Sequence, residues 1–221
     1  MRVAVFCSGR GSNLLALLEA SEANLLGPAE LRLVVTDSSA AGALNTGREW
    51  GLYTALIPRT AYHANRDGYE RRLLDVLAEH EIELVVLAGY LRILGPVFLS
   101  AFPNKVINVH PALLPSFPGQ NVWPDEVDGG VKLAGATVHF VDDGIDKGPI
   151  IIQGAVPVLD SDTPESLAER ILKVEHRILP QALFWLASGR LLVENRRVKL
   201  LDGPSQPSGP FLIWPPLENR K

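Results

Sequence analysis

Apolar residues recur along this chain with two different periods. Runs rich in branched side chains at Val3 to Cys7, Leu31 to Thr36, Leu84 to Ala88 and Lys105 to Val109 predict strands buried on both faces. Between them, apolar positions return at helical spacing at Leu14 to Ala23, Ala40 to Trp50 and Asp67 to His80, where Tyr69, Leu73, Leu74 and Leu77 mark one face. Strand and helix alternating in this way predict a parallel sheet with crossover helices.

The pattern changes after Val109. Pro111, Pro115, Pro118 and Pro124, with Gly119, Gly129 and Gly130, interrupt any regular ladder and predict a long wrapped loop, the kind of segment on which binding residues concentrate. Ala136 to Val141 and Pro149 to Val158 then read as a hairpin-like pair around the turn Asp142-Asp143-Gly144-Ile145-Asp146-Lys147-Gly148. Thr163-Pro164-Glu165 carries a cap and a first-turn proline, predicting a helix to Leu179 that continues past Pro180 towards Ala187. Short strands follow at Leu191 to Glu194 and Val198 to Leu201. From Gly203 the tail is rich in proline, glycine and serine and reads as irregular, with an apolar island at Phe211-Leu212-Ile213-Trp214 that suits docking on the body or on a partner subunit. No internal repeat is visible.

Bulk properties narrow the class. With 221 residues and 47% hydrophobic composition, the chain can bury one sizeable core, so a single domain is expected. Lys+Arg 21 against Asp+Glu 25 gives a net charge of -4, which argues against a polynucleotide partner. The lone cysteine, Cys7, lies in an apolar run, so no disulfide framework or cysteine cluster is available, consistent with a reducing cytoplasm. The start of the chain is too short in apolar residues for a signal peptide, and no run approaches the roughly 20 residues of a membrane helix.

Three sets of polar residues are candidates for chemistry. Ser8-Gly9-Arg10-Gly11-Ser12-Asn13 follows the first strand and opens the first helix, where free backbone N–H groups and the helix dipole favour an anion. An ordinary strand-to-helix turn has the same composition. The spacing is neither a Walker loop nor a dinucleotide fingerprint, so a sugar monophosphate is the ligand it suits. Asn108 and His110 share one face at the end of a strand, and an amide beside an imidazole can hold a carbonyl oxygen and stabilise developing negative charge. The alternative is a pair that merely caps the strand. Asp146 would favour the charged imidazole if it came near, whereas Asp142, Asp143 and Asp146 could equally serve as turn formers. His139 could line the same pocket or be a satisfied core residue. No metal site is indicated, and no Gly-x-Ser-x-Gly nucleophile turn is present.

Together, Ser8 to Leu14, Val86-Leu87-Ala88-Gly89-Tyr90-Leu91-Arg92-Ile93-Leu94, Asn108-Val109-His110-Pro111-Ala112-Leu113-Leu114-Pro115 and His139 to Pro149 resemble the folate-dependent formyltransferases, in the phosphoribosylglycinamide formyltransferase branch. The resemblance spans about residues 1 to 200. It implies a Rossmann-like, mostly parallel twisted α/β sheet with helices on both faces and antiparallel additions in the C-terminal half. It also implies one domain over 1–202, with a phosphate-binding half at 1–109 and a folate and catalytic-loop half at 110–202, then a tail at 203–221. The implied cosubstrate is 10-formyltetrahydrofolate, without a metal, and the implied acceptor is glycinamide ribonucleotide. By the same resemblance Gly11, Ser12 and Asn13 take the phosphate end and Glu175 the ribonucleotide near its glycinamide arm. Folate falls to Arg66, Leu91, Arg92, Ile93, Leu94 and Asn108, while Asn108, His110 and Asp146 position the formyl group and Pro115 is cis.

The resemblance further implies direct attack by the neutral amine on the formyl carbon; a cytoplasmic protein is expected, with the choice between monomer and homodimer left open by the sequence. One departure stands out: relatives carry histidines after the Pro-Gly of the wrapped loop, where this chain has Gln120-Asn121-Val122-Trp123. Chemistry is expected to be kept and loop packing to differ. Rival readings are a formyltetrahydrofolate hydrolase, which would normally add an N-terminal regulatory domain, and an initiator-tRNA transferase, which would add a C-terminal domain and a basic surface. A noncatalytic sugar-phosphate or folate-binding module would keep the glycine loop without needing all three polar residues.

Overall fold

The structure, a computed structural model, describes residues 1–62, 65–203 and 213–214, which form two compact units divided after Asn108. In the first unit the chain runs β1 (Arg2–Phe6), α1 (Ser12–Glu22), β2 (Glu30–Thr36), α2 (Ala43–Glu49), β3 (Tyr53–Leu56), a 3₁₀ turn (Arg59–Tyr62), α3 (Arg66–Glu79), β4 (Leu84–Leu87), α4 (Pro96–Ala101) and the start of β5 (Val106–His110), whose last two residues belong to the second unit. The strands lie in the order β3-β2-β1-β4-β5 and all neighbours are parallel. The sheet is buried at its centre: Val3 to Phe6 and Leu84 to Val86 are fully enclosed, which explains why these strands have no alternating polar positions. Phe6 meets Tyr90 and Phe98 edge-on, with centroids 5.2 and 5.9 Å away, and its burial is worth about 1.5–3 kcal/mol. Helix α3 starts where Asn65 accepts a hydrogen bond from the Gly68 N–H at 2.8 Å, an N-cap followed by Asp67 in the first turn.

The second unit contains α5 (Val122–Asp128), β6 (Leu133–Phe140), β7 (Ile150–Pro157), α6 (Pro164–Ala187), β8 (Leu191–Glu194), β9 (Arg197–Leu200) and β10 (Ile213–Trp214). β6 and β7 pair antiparallel, with a register shift between Val138 and His139. β9 joins β7 in parallel at Ile150 and Arg197, and β8 folds back antiparallel on β9. α6 packs on β6 and β7, and Leu167, Ile171, Val174, Ile178 and Ala182 form a buried stripe on it at helical spacing. Its start is a reciprocal capping box between Thr163 and Ser166, with Pro164 in the first turn, and the helix continues through Pro180 as expected.

The mostly parallel sheet with antiparallel strands in the second half agrees with the sequence. Four details differ. β3, α4 and α5 had no counterpart in the expected elements, and α5 sits inside the segment expected to be an irregular loop. The expected irregularity of the tail falls largely outside the described residues, but the backbone of Ile213 and Trp214 pairs antiparallel with Gly154 and Gln153 of β7. Among the described residues no helix is long and apolar enough to cross a membrane.

Candidate active site

In the first unit the glycine turn and the segment after β4 are locked to each other. The Ser8 N–H donates to the Gly89 carbonyl at 3.0 Å, and the Ser8 Oγ accepts the Leu91 N–H at 3.0 Å. Gly11 caps α1 at φ 84, and a Cβ there would lie 3.0 Å from both Cα and Cβ of Ala43, so the turn requires glycine on two counts. Ser12 and Asn13 follow as the first helical residues. The first turn of α1 carries no acidic side chain and its cap makes no side-chain hydrogen bond, so its backbone N–H groups and dipole remain suited to an anion.

Arg66 reaches the segment Leu91 to Leu94. The Arg66 Nη2 donates to the Ile93 carbonyl at 3.2 Å, and its Nε donates to Glu70 at 2.9 Å. Leu91 and Ile93 are 58% and 62% exposed, an open apolar rim, whereas Leu94 is buried and Arg92 pairs with Asp37 at 2.5 Å. Glu70, only 1% exposed, also accepts the Gly95 N–H at 2.6 Å and the Phe98 N–H at 3.0 Å. It therefore holds this segment from beneath. A Cβ on Gly95 would come within 2.6 Å of Glu70 and 2.7 Å of Arg66, so the approach depends on glycine. Sequence reasoning missed both Glu70 and Asp37, although a carboxylate four residues after Arg66 on a helix was a usable signal for the first.

In the second unit one carboxylate is shared by two imidazoles. His110, at the end of β5, is 4% exposed; its Nε2 lies 2.8 Å from the Phe117 carbonyl and its Nδ1 3.5 Å from Asp146 Oδ2. A carbonyl only accepts, so the Nε2 carries a proton, and a carboxylate facing Nδ1 suits a ring protonated there as well. His139, 2% exposed, is arranged alike: Nδ1 faces the Phe140 carbonyl at 2.8 Å and Nε2 lies 3.7 Å from Asp146 Oδ1. Burial depresses the His139 pKa below its ordinary value, the Phe140 carbonyl opposes that, and Asp146 opposes it less. The register shift next to His139 belongs to the strand irregularities that re-aim side chains beside functional sites.

Asp146 itself has φ 51, and its Oδ2 accepts the Gly119 N–H at 2.9 Å, which ties the wrapped loop to the β6–β7 turn. A cavity of about 130 Å³ opens here, lined by Leu114, Pro115, Ile145, Asp146, Lys147 and Arg196, and the Leu114–Pro115 bond is cis as expected. Asp142 is a turn former, its Oδ1 accepting the Gly144 N–H at 3.0 Å.

Direct contacts thus gather Arg66 with Ile93 in one unit and His110 with Asp146 in the other. Asn108 stands two residues before His110 on β5, on the same strand face. Glu175 is buried on α6 at 6% exposure. In the departing loop, Val122 is buried and Asn121 bonds Asp125 at 2.6 Å, so this stretch forms the start of α5. Cys7 is enclosed, and burial pushes its thiol up to about 12, so it is a core residue.

The chemistry such a site can perform is stabilisation of an oxyanion beside a protonatable ring. Comparison with known proteins points the same way. The formyl transferase family profile matches residues 1–183. A phosphoribosylglycinamide formyltransferase of Mycobacterium tuberculosis is 43% identical over 195 residues, covering 88% of this chain and 89% of that protein. The trifunctional purine biosynthetic protein adenosine-3 of Bos taurus is 42% identical over 199 residues, 89% of this chain, although the chain spans only 19% of that longer protein. The crystal structure of glycinamide ribonucleotide transformylase 1 from Symbiobacterium toebii superposes with a TM-score of 0.89 at 43% identity, covering 91% of this chain and 94% of that one.

Proposed function

The chain belongs to the formyl transferase family, and from that premise we propose that it transfers the formyl group of 10-formyltetrahydrofolate to the amine of glycinamide ribonucleotide, a step of purine synthesis in the cytoplasm. The observation that carries this reading is the Asp146 carboxylate facing Nδ1 of a nearly enclosed His110 whose Nε2 is already committed to the Phe117 carbonyl. That arrangement suits a buried imidazole that stabilises a developing oxyanion without a covalent nucleophile.

In the proposed mechanism the neutral amine attacks the formyl carbon, forming the new C–N bond. The Asn108 amide donates to the resulting oxyanion and the His110 cation stabilises it. Collapse then breaks the bond from the formyl carbon to the folate nitrogen; the amine nitrogen loses a proton and the folate nitrogen gains one. The 3.5 Å separation from Asp146 is longer than a charge-assisted bond, so the Nδ1 proton is the one for which a water or substrate oxygen can compete. Positioning and electrostatics suffice, since the formyl donor is already activated.

The remaining roles follow the family resemblance. Gly11, Ser12 and Asn13 take the phosphate, supported by the uncapped first turn of α1. Arg66, Leu91, Arg92, Ile93, Leu94 and Asn108 take the folate, supported by the exposed apolar rim and the Arg66 contact with Ile93. Glu175 takes the glycinamide ribonucleotide. The test is to mix purified protein with 10-formyltetrahydrofolate, with and without glycinamide ribonucleotide, and follow tetrahydrofolate release. Release that requires the amine is expected. Release without it would identify a hydrolase, and folate binding without release a noncatalytic module.

A further inference from the structure

The turn that carries Asp146 is pinched at its ends and thinly held in its middle. Its base closes through the Phe140 N–H donating to the Pro149 carbonyl at 2.9 Å. Gly148 passes so close to Phe140 that a Cβ would sit 1.7 Å from the carbonyl oxygen. Within the turn, Gly144 bonds Asp142, and Asp146 holds a left-handed φ of 51, a conformation that most side chains avoid. Its carboxylate accepts one hydrogen bond, from the Gly119 N–H at 2.9 Å, and its contacts with the two imidazoles, at 3.5 and 3.7 Å, are too long to add much to it.

A side chain from another element does reach the turn. Arg196 lies in the tight connection between β8 and β9, next to Asn195 at φ 56. Its Nη2 donates to the carbonyl of Lys147, the residue after Asp146, and its Nη1 lies 3.9 Å from Asp142 Oδ2. One planar guanidinium therefore spans the beginning and the end of the turn, and it lines the cavity that Asp146 enters. Its neighbour Arg197 is in register with Ile150 of β7, so the connection has a fixed backbone anchor. With a side chain 70% exposed, Arg196 adds little to global stability.

We propose that Arg196 is a positioning residue for Asp146, fastening the β6–β7 turn to the β8–β9 hairpin so that the carboxylate stays opposite His110 and His139. In respect of catalysis the inference rests on the formyl-transfer reading; in respect of geometry it does not.

The experiment compares Arg196→Ala, Arg196→Lys and, as a neighbour control, Arg197→Ala in the full chain. Three readouts are taken: the ring NMR signals of His110 and His139 without substrate, kcat and KM for formyl transfer, and thermal unfolding. Arg196→Ala is expected to shift both sets of ring signals and to lower kcat on the order of tenfold, the scale of a displaced catalytic group, with KM for the ribonucleotide and the unfolding midpoint held. Arg196→Lys recovers only part of the rate, because an ammonium cannot fork between two acceptors. Arg197→Ala leaves ring signals and rate as in the wild type. Ring signals in Arg196→Ala identical to wild type overturn the proposal whatever the rate does. An inactive wild type would instead sink the functional reading, and the ring signals would still report on Arg196.

Discussion

Asp146→Asn isolates one charge with little change of shape. Asparagine is one of the few residues that tolerates the left-handed backbone found here at φ 51, and its amide oxygen can still accept the Gly119 N–H, so the turn should persist. What disappears is a negative charge 3.5 Å from His110 Nδ1. At that separation Coulomb's law gives about 5 kcal/mol for an effective dielectric of 20 and about 1 kcal/mol in bulk water. The Asp146 side chain is 14% exposed, which places the interaction between these limits, nearer the first. An imidazolium-stabilised transition state should therefore weaken by about 2–4 kcal/mol, a loss of roughly 30- to 1000-fold in kcat. The assay is steady-state release of tetrahydrofolate at saturating ribonucleotide, with unfolding midpoints recorded in parallel. A folded Asp146→Asn protein with kcat within threefold of wild type would refute the electrostatic role.

Other consequences can be measured separately. Glu70→Ala should destabilise the protein by about 2–3 kcal/mol in chemical denaturation, since it strands the buried Gly95 and Phe98 N–H groups, and should raise KM for the folate more than for the ribonucleotide; equal changes would contradict the assignment of this segment to folate. Glu126, enclosed on α5 with an Oε2 that has no partner among the described residues, is pushed by burial up to about 7 from 4.5. Between these values the folded state binds more protons than the unfolded one, so stability falls as pH rises; Glu126→Gln should gain about 1–3 kcal/mol at pH 8, shrinking towards pH 4.5, and a pH-independent difference would be the wrong outcome. Cys7 should ignore a thiol-specific reagent in the native protein and react only after unfolding, and rapid native labelling would contradict its burial.

What could be read from the sequence depended on how each element is stabilised. β1 and β4 announced themselves because strands covered on both faces need uninterrupted apolar runs. β3 pairs with β2 at the sheet edge and is half exposed throughout, so Tyr53 to Leu56 carry no such run. α5 was hidden by Pro124, which reads as a breaker but falls in the first turn, where an N–H has no helical partner to lose. For the site, a two-residue spacing placed Asn108 and His110 on one face, and the resemblance supplied Asp146. Phe117, Gly119 and Lys147 could not be found that way: they act through backbone atoms, which every residue possesses, and only the folded chain shows which ones arrive. Arg196 is undetectable for a related reason, since its partners are made by the turn and not by its neighbours in sequence.

The shared carboxylate explains why two buried histidines can coexist. Each has one ring nitrogen committed to a carbonyl and the other turned to Asp146, so each geometry favours a cation, yet only one negative charge is present. Two imidazolium rings around one carboxylate would leave an uncompensated buried charge, which is costly. Burial weighs against the charged form of His139, and the Phe140 carbonyl and Asp146 oppose it only in part. Under the proposed formyl transfer, the place of Asp146 between the two rings is therefore what the Arg196 variants test.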